Sequence, residues 1–180
     1  DDMDHVRTTL EEADAKADVV MTSAGVSVGD ADHVRTALDQ LGDILVWRIA
    51  IKPGKPFAFG RLPNSVFIGL PGNPVSALVT LQQLALPALM ALQGSSWQPP
   101  LRLQAILSQN LRKKPGRTDF QRGNLVVSDN GEVSVTPLTG QGSGMASSMS
   151  RADCYIVLER ERGDVNAGET VWVEPFTPPL

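Results

Sequence analysis

One hundred and eighty residues, 42% apolar and 20% charged, suffice for one large domain or two small ones with a real core, which excludes wholesale disorder. Sixteen basic against twenty acidic residues give a net charge of −4, which argues against general nucleic-acid binding. One cysteine, Cys154, excludes an internal disulfide framework and a cysteine-built zinc site and fits a reducing, cytoplasmic compartment, while two histidines leave any metal to oxygen ligands.

In chain order, Val6, Thr9, Leu10, Ala13 and Ala17 recur at helical spacing and the apolar run Val19, Val20, Met21 follows, which predicts a helix and then a buried strand. Residues 22–30 are small and loop-like. Val34, Ala37, Leu38 and Leu41 mark a second helix with Asp30 or Asp32 as its N-cap. Strands are expected over 44–50, 57–59 and 66–70. Pro74 opens a helix that runs to Leu92, apolar nearly all round and hence expected to be well buried. No uninterrupted apolar run approaches the ~20 residues of a membrane span, and no basic-then-apolar leader is present, so neither membrane nor export is expected. Residues 93–100 (QGSSWQPP) form a linker, beyond which the helical period disappears. About six short alternating strands there indicate a small sandwich or barrel. The expected architecture is an α/β unit over 1–98 followed by an all-β unit over 99–180. Asp1 in place of Met suggests a fragment or a processed chain.

Three segments carry candidate chemistry. Residues 22–32 (TSAGVSVGDAD) lead from a strand through a small-residue loop into a helix, where free backbone amides and the helix dipole favour anions. Ser23 and Ser27 add hydroxyls. Asp30 and Asp32 suit a hard cation beside a phosphate, although helix capping alone accounts for either aspartate. Residues 51–56 (IKPGKP) set Lys52 and Lys55 in a turn stiffened by two prolines and a glycine, which reduces the entropy lost on closing around an anion; an exposed, solubilising turn is the alternative. Residues 69–76 (GLPGNPVS) read as a strand-to-helix loop, with Asn73 as cap, Pro74 as first helical residue and Ser76 offering a hydroxyl. From Arg112 to Arg122 there are five bases and one acid, and Gly140 to Gly144 supply a flexible loop holding Ser143. Cys154, in an apolar strand, is expected in the core, and His5 and His33 are expected to be solvated.

Residues 22–32, 51–56 and 70–77 in this order, together with 119–123 (DFQRG) and the loop at 141–143 (QGS), resemble the molybdopterin molybdenumtransferases, the MoeA/gephyrin E-domain family, over essentially the whole chain. The resemblance implies a partial molybdopterin-binding three-layer α/β domain followed by a small barrel-like C-terminal domain. It implies insertion of molybdate into adenylylated molybdopterin with release of AMP and Mg²⁺ assistance. On this basis Asp32, Lys52, Lys55 and Ser76 would be catalytic. Ser23, Gly25, Ser27, Pro71, Asn73, Pro74, Arg122 and Ser143 would contact substrate, and Asp32 and Asp1 would hold the metal. The family's partners would be small molecules, a second copy bound through N-terminal domains absent here, and other proteins of the same biosynthesis. A non-catalytic molybdopterin-binding or gephyrin-type scaffold module is the alternative. Two positions depart from the family pattern: Ala24 stands where a glycine is usual, and Arg48 where some relatives have Lys.

Overall fold

A computed structural model describes residues 2–25 and 31–176, with the side chains of residues 31 and 32 outside that description. Two compact units emerge, one from residues 1–49 and 54–94, the other from residues 50–53 and 95–180.

The first unit opens with α1 (Met3–Asp14), whose N-cap Asp2 accepts the amide hydrogen of Asp4 at 3.1 Å. Strand β1 (Val19–Ser23), helix α2 (Ala31–Leu41) and strand β2 (Asp43–Arg48) follow. Next in the chain are β3 (Ile51–Lys52), β4 (Pro56–Arg61) and β5 (Val66–Leu70), of which β4 and β5 belong to this unit. The sheet order is β1-β5-β4-β2, with β1 parallel to β5 and the remaining pairs antiparallel. Alternation along the strands divides the core, because successive side chains leave opposite faces. Phe67 joins Leu10, Val20, Ala37, Leu38, Ala58 and Leu62 beneath α1 and α2, whereas Ile68 joins Phe57, Leu70 and Ala85 on the other face. The result is the three-layer arrangement the resemblance implied.

The long helix departs from its sequence-based reading. It consists of α3 (Pro74–Thr80), a π-helical turn (Leu81–Ala85) and α4 (Leu86–Leu92). Pro87 is the cause: its ring would collide with the carbonyl four residues back, and widening the preceding turn relieves the collision. The amide of Leu86 accordingly reaches Leu81 O, five residues back. Burial is also less complete than the apolar composition suggested. Val75, Val79 and Ala85 are buried, while Leu86 and Leu92 are 44% and 54% exposed. Joined end to end, Pro74–Leu92 is 19 residues with mean hydropathy 1.7, long and apolar enough to cross a membrane by length and composition alone. The uninterrupted-run test is stricter and is not met, since polar residues at 76, 80, 82 and 83 break the run without lowering the mean enough. Here the helix lays Ala77, Leu81, Leu84, Ala85 and Leu89 on the sheet.

In the second unit β3 pairs in parallel with the start of β7 (Thr118–Val127), with Lys52 opposite Asp119. The long β7 then serves two neighbours. Residues 119–123 pair with β9 (Cys154–Leu158) and residues 123–127 with β8 (Val133–Pro137). Strand β8 pairs with β6 (Leu103–Leu107), β6 with β10 (Thr170–Pro175), and β10 with β9. The ring β7-β8-β6-β10-β9 thus closes as a five-stranded barrel, which removes the exposed edges of an open sheet. Gly123 stands where β7 passes from one neighbour to the other, and a Cβ there would lie 2.9 Å from Val135 Cγ2 and 3.0 Å from Ile156 Cδ1. Val135, Ile156, Leu107, Leu158 and Val173 fill the interior, and Cys154 lies among them with its thiol pushed up by burial and by neighbouring Asp153. A short helix, α5 (Ser147–Arg151), which the sequence reading did not foresee, lies between β8 and β9 in the chain.

Candidate functional site

Two loops of the first unit meet at the C-terminal ends of the adjacent parallel strands β1 and β5. Ser23 pairs with Leu70, and the Ala24 amide donates to Leu70 O at 3.1 Å. Beyond those residues, a Cβ on Gly72 would lie 3.1 Å from Ala24 Cβ, so the loops touch. Crevices beyond the C-terminal ends of parallel strands are where open α/β sheets bind ligands. Ala24 and Gly25 both adopt left-handed backbone, at φ 84° and 74°. Ala24 therefore keeps the conformation that favours glycine while carrying a methyl group. The Oγ1 of Thr22, just before this turn, is buried without a hydrogen-bond partner among the described residues.

Gly25 is closed in by α2, since a Cβ there would approach Val34 Cγ2 to 2.7 Å. Gly25→Ala is expected to lower stability by about 2 kcal/mol, combining left-handed strain with overpacking. Ala24→Gly is expected to shift it slightly the other way, by up to about 1 kcal/mol. Urea midpoints of the two variants check both signs.

The second loop holds Pro71, Asn73, Pro74 and Ser76. Pro74 occupies the first turn of α3 and Asn73 the N-cap position, with Asn73 O accepting from Ala77 N at 2.8 Å. Contrary to the capping role expected of it, the Asn73 side chain makes no cap hydrogen bond. Pro71 and Ser76 are buried, Pro74 is exposed, and Ser23 is exposed on the neighbouring strand end. The structure thus brings Ser23, Gly25, Pro71, Asn73, Pro74 and Ser76 to one end of this sheet. Asp32 is the second residue of α2, which follows the first loop. Its carboxylate, Asp1 and Ser27 lie outside the described residues. Among the described residues no three acidic, histidine or cysteine side chains group as metal ligands.

The lysines that the sequence presents as one stiff turn fall into different units. Lys55, exposed, precedes β4, and its carbonyl accepts from Ile49 N at 3.1 Å in the first unit. Lys52 belongs to the second unit, where its Nζ lies 3.0 Å from Asp119 Oδ2. The same oxygen accepts from Gln121 Nε2 at 3.1 Å, and Asp119 is buried. Asp119 and Gln121 share a face because they are two apart on a strand, a signal available in DFQRG that the sequence reading did not use.

Arg122 is 1% exposed. Its Nε donates to Ser148 Oγ at 3.1 Å, and its Nη2 to Gly140 O at 3.4 Å and Gly142 O at 3.2 Å. The Gln141 side chain completes the grip, accepting from Arg122 N at 2.9 Å and donating to Arg122 O at 2.8 Å. Burial lowers the Arg122 pKa, against the opposing influence of Tyr155 and Asp119. Assigned by resemblance to substrate contact, Arg122 is thus enclosed as a cation that shapes the 140–142 loop, directly before Ser143.

A second basic feature lies in the same unit. Lys52, Arg112, Lys113, Lys114, Arg117, Asp119 and Asp164 line most of a hollow of about 760 Å³.

Comparison with known proteins agrees with both units. A family described as "Probable molybdopterin binding domain" matches residues 1–91, and "MoeA C-terminal region (domain IV)" matches residues 104–176. The chain belongs to the MoeA family. It is 52% identical over 165 residues to the molybdopterin molybdenumtransferase of Haemophilus influenzae, covering 91% of this chain and 41% of that protein. It is 35% identical over 176 residues to the molybdenum cofactor synthesis protein cinnamon of Drosophila melanogaster, covering 94% and 29% respectively. The crystal structure of the molybdopterin biosynthesis moea protein from Pyrococcus horikosii superimposes with a TM-score of 0.76 at 28% identity, over 98% of this chain and 42% of that one. The chain therefore spans about two fifths of the length of this MoeA relative and less of cinnamon.

Proposed function

We propose that this MoeA-family chain acts in molybdenum cofactor synthesis, inserting molybdate into adenylylated molybdopterin with release of AMP. The observation that carries the reading is the meeting of the 22–25 and 71–76 loops beyond β1 and β5, in a unit matched by a molybdopterin-binding family. Ser23, Gly25, Ser27, Pro71, Asn73 and Pro74 would receive the pterin substrate through backbone amides and short side chains. Lys55 and the Ser76 hydroxyl in the first unit, and Lys52 in the second, would each serve molybdate binding, and Ser143, on the Arg122-shaped loop, substrate binding. Lys52 is suited to this because Asp119 restrains its ammonium group, so less side-chain freedom is lost on binding. Fixed positive groups would oppose the charge that develops on the departing phosphate.

The oxygen donors of Asp32 and Asp1 match the chemistry of Mg²⁺, which when bound supplies charge neutralisation to phosphate oxygens. A cytoplasmic location and a dimer belong to the same proposal, the first supported by a single, buried cysteine.

Molybdate-dependent AMP release by the full-length protein tests the reading. Lys52→Ala and Asp32→Ala are each expected to reduce turnover by about 100-fold. A folded Asp32→Ala variant that has no turnover favours the enzyme reading, whereas a scaffold would lose nothing by the change. Wild-type rates in both variants would refute the site.

A further inference from the structure

We infer that the hollow beside β7 in the second unit is a binding site for a small phosphate ester or polyphosphate carrying two or more negative charges. All of its lining residues belong to the second unit, and the site does not depend on the molybdate reading, although Lys52 borders it.

The argument starts from charge. Five basic residues and two acidic ones line the hollow, in a chain whose net charge is −4. Both acids are engaged: Asp119 by Lys52 and Gln121, and Asp164 by the Lys113 amide at 2.7 Å. Lys113 is itself buried, its Nζ donating to Arg160 O at 3.2 Å and Arg162 O at 2.7 Å. Arg112, Lys114 and Arg117 remain, and among the described residues none of them has an ion pair or side-chain hydrogen bond. Three like charges directed at one concavity repel each other when it is empty, and a multivalent anion removes that repulsion.

The segment carrying them is held from behind. Leu111 and Val165 exchange backbone hydrogen bonds at 2.8 and 2.9 Å, and the Gly116 amide donates to Arg160 O at 2.8 Å. With the Lys113 anchors, these contacts hold residues 111–116 against residues 160–165, so little backbone freedom is lost on binding. Size selects the ligand class. About 760 Å³ lies within the range of small-molecule sites and would leave a single tetrahedral oxyanion mostly surrounded by water. Arginine forks and a lysine suit several phosphate oxygens. The concave form favours a small molecule over nucleic acid, which needs an extended basic track.

Titration of the full chain with inorganic pyrophosphate, followed by calorimetry and by backbone amide shifts, tests the site. Saturable binding that weakens with added salt is expected, with the Gly116 and Gly163 amides shifting. Arg112→Ala and Arg117→Ala are each expected to weaken binding by about tenfold, and Arg117→Gln guards against a folding artefact because Arg117 is exposed. Arg7→Ala, on α1 in the other unit, should leave pyrophosphate affinity unchanged. No saturable binding, wild-type affinity in both arginine variants, or an equal loss in Arg7→Ala would overturn the site, and the AMP-release assay would be unaffected by that failure. Binding of single-stranded oligonucleotide or anionic vesicles without any response to pyrophosphate would also overturn it.

Discussion

Arg122→Ala is expected to lower the unfolding free energy by about 3–5 kcal/mol, because it empties a fully buried position and removes every donor that side chain supplies. Gly140 O, Gly142 O and Ser148 Oγ each lose a partner, leaving Ser148 to its short bond with Met145 O at 2.6 Å. The main-chain exchange with Gln141 survives, so the loop is loosened and not detached. Arg122→Lys should recover only part of the loss, since one ammonium group cannot bond Ser148 and two carbonyls with the geometry of the guanidinium fork. Urea unfolding followed through Trp172 on β10 ranks the three proteins. A midpoint for Arg122→Ala within error of wild type would mean that the loop does not depend on this side chain.

Asp14→Ala is expected to cost about 2–4 kcal/mol near neutral pH, with a pH dependence of definite sign. Asp14 ends α1 and is buried against the turn between β4 and β5. There it accepts from Asn64 N at 3.1 Å, Asn64 Nδ2 at 2.9 Å and Ser65 Oγ at 2.7 Å. Burial by itself raises its pKa, but the Ser65 hydroxyl and the Asn64 amides together outweigh that and hold the carboxyl below its ordinary value of 3.8. A depressed folded pKa means that the contribution is complete above the unfolded value and is lost as pH falls through the folded one. The stability gap between wild type and Asp14→Asn should therefore stay constant from neutral pH down to about 5 and shrink below 3.8. A gap that widened on acidification would contradict the assigned hydrogen bonds.

Neither effect was legible in the sequence. Asp14 read there as an ordinary helix residue, and Arg122, at the end of a run of bases, as a substrate contact implied by resemblance, not as a buried anchor. Their partners lie 18 to 26 residues away for Arg122 and 50 to 51 away for Asp14. The loops at β1 and β5 were legible, because small residues, a proline at the first helical turn and strand-to-helix order are local signals. Their mutual contact through Ala24 and Gly72 was not, since it depends on β1 choosing β5 as its neighbour. For the lysine pair, the sequence shows a stiff turn but not the pairing of Lys52 with Asp119, 67 residues on, nor the division that leaves Lys55 with the first unit.

What the amino-acid sequence determined alone is the main helices and strands, without α5 and the π-helical turn, the change from α/β to all-β order near residue 95, and the family. Each follows from short-range periodicity, turn chemistry or motif. The tertiary structure alone decided the transfer of residues 50–53 to the second unit, barrel closure through the shared strand β7, the enclosure of Arg122 and the gathering of cations near β7. A strand's alternation says which side chains share a face, but its partner is chosen by long-range pairing and burial, which no local window contains.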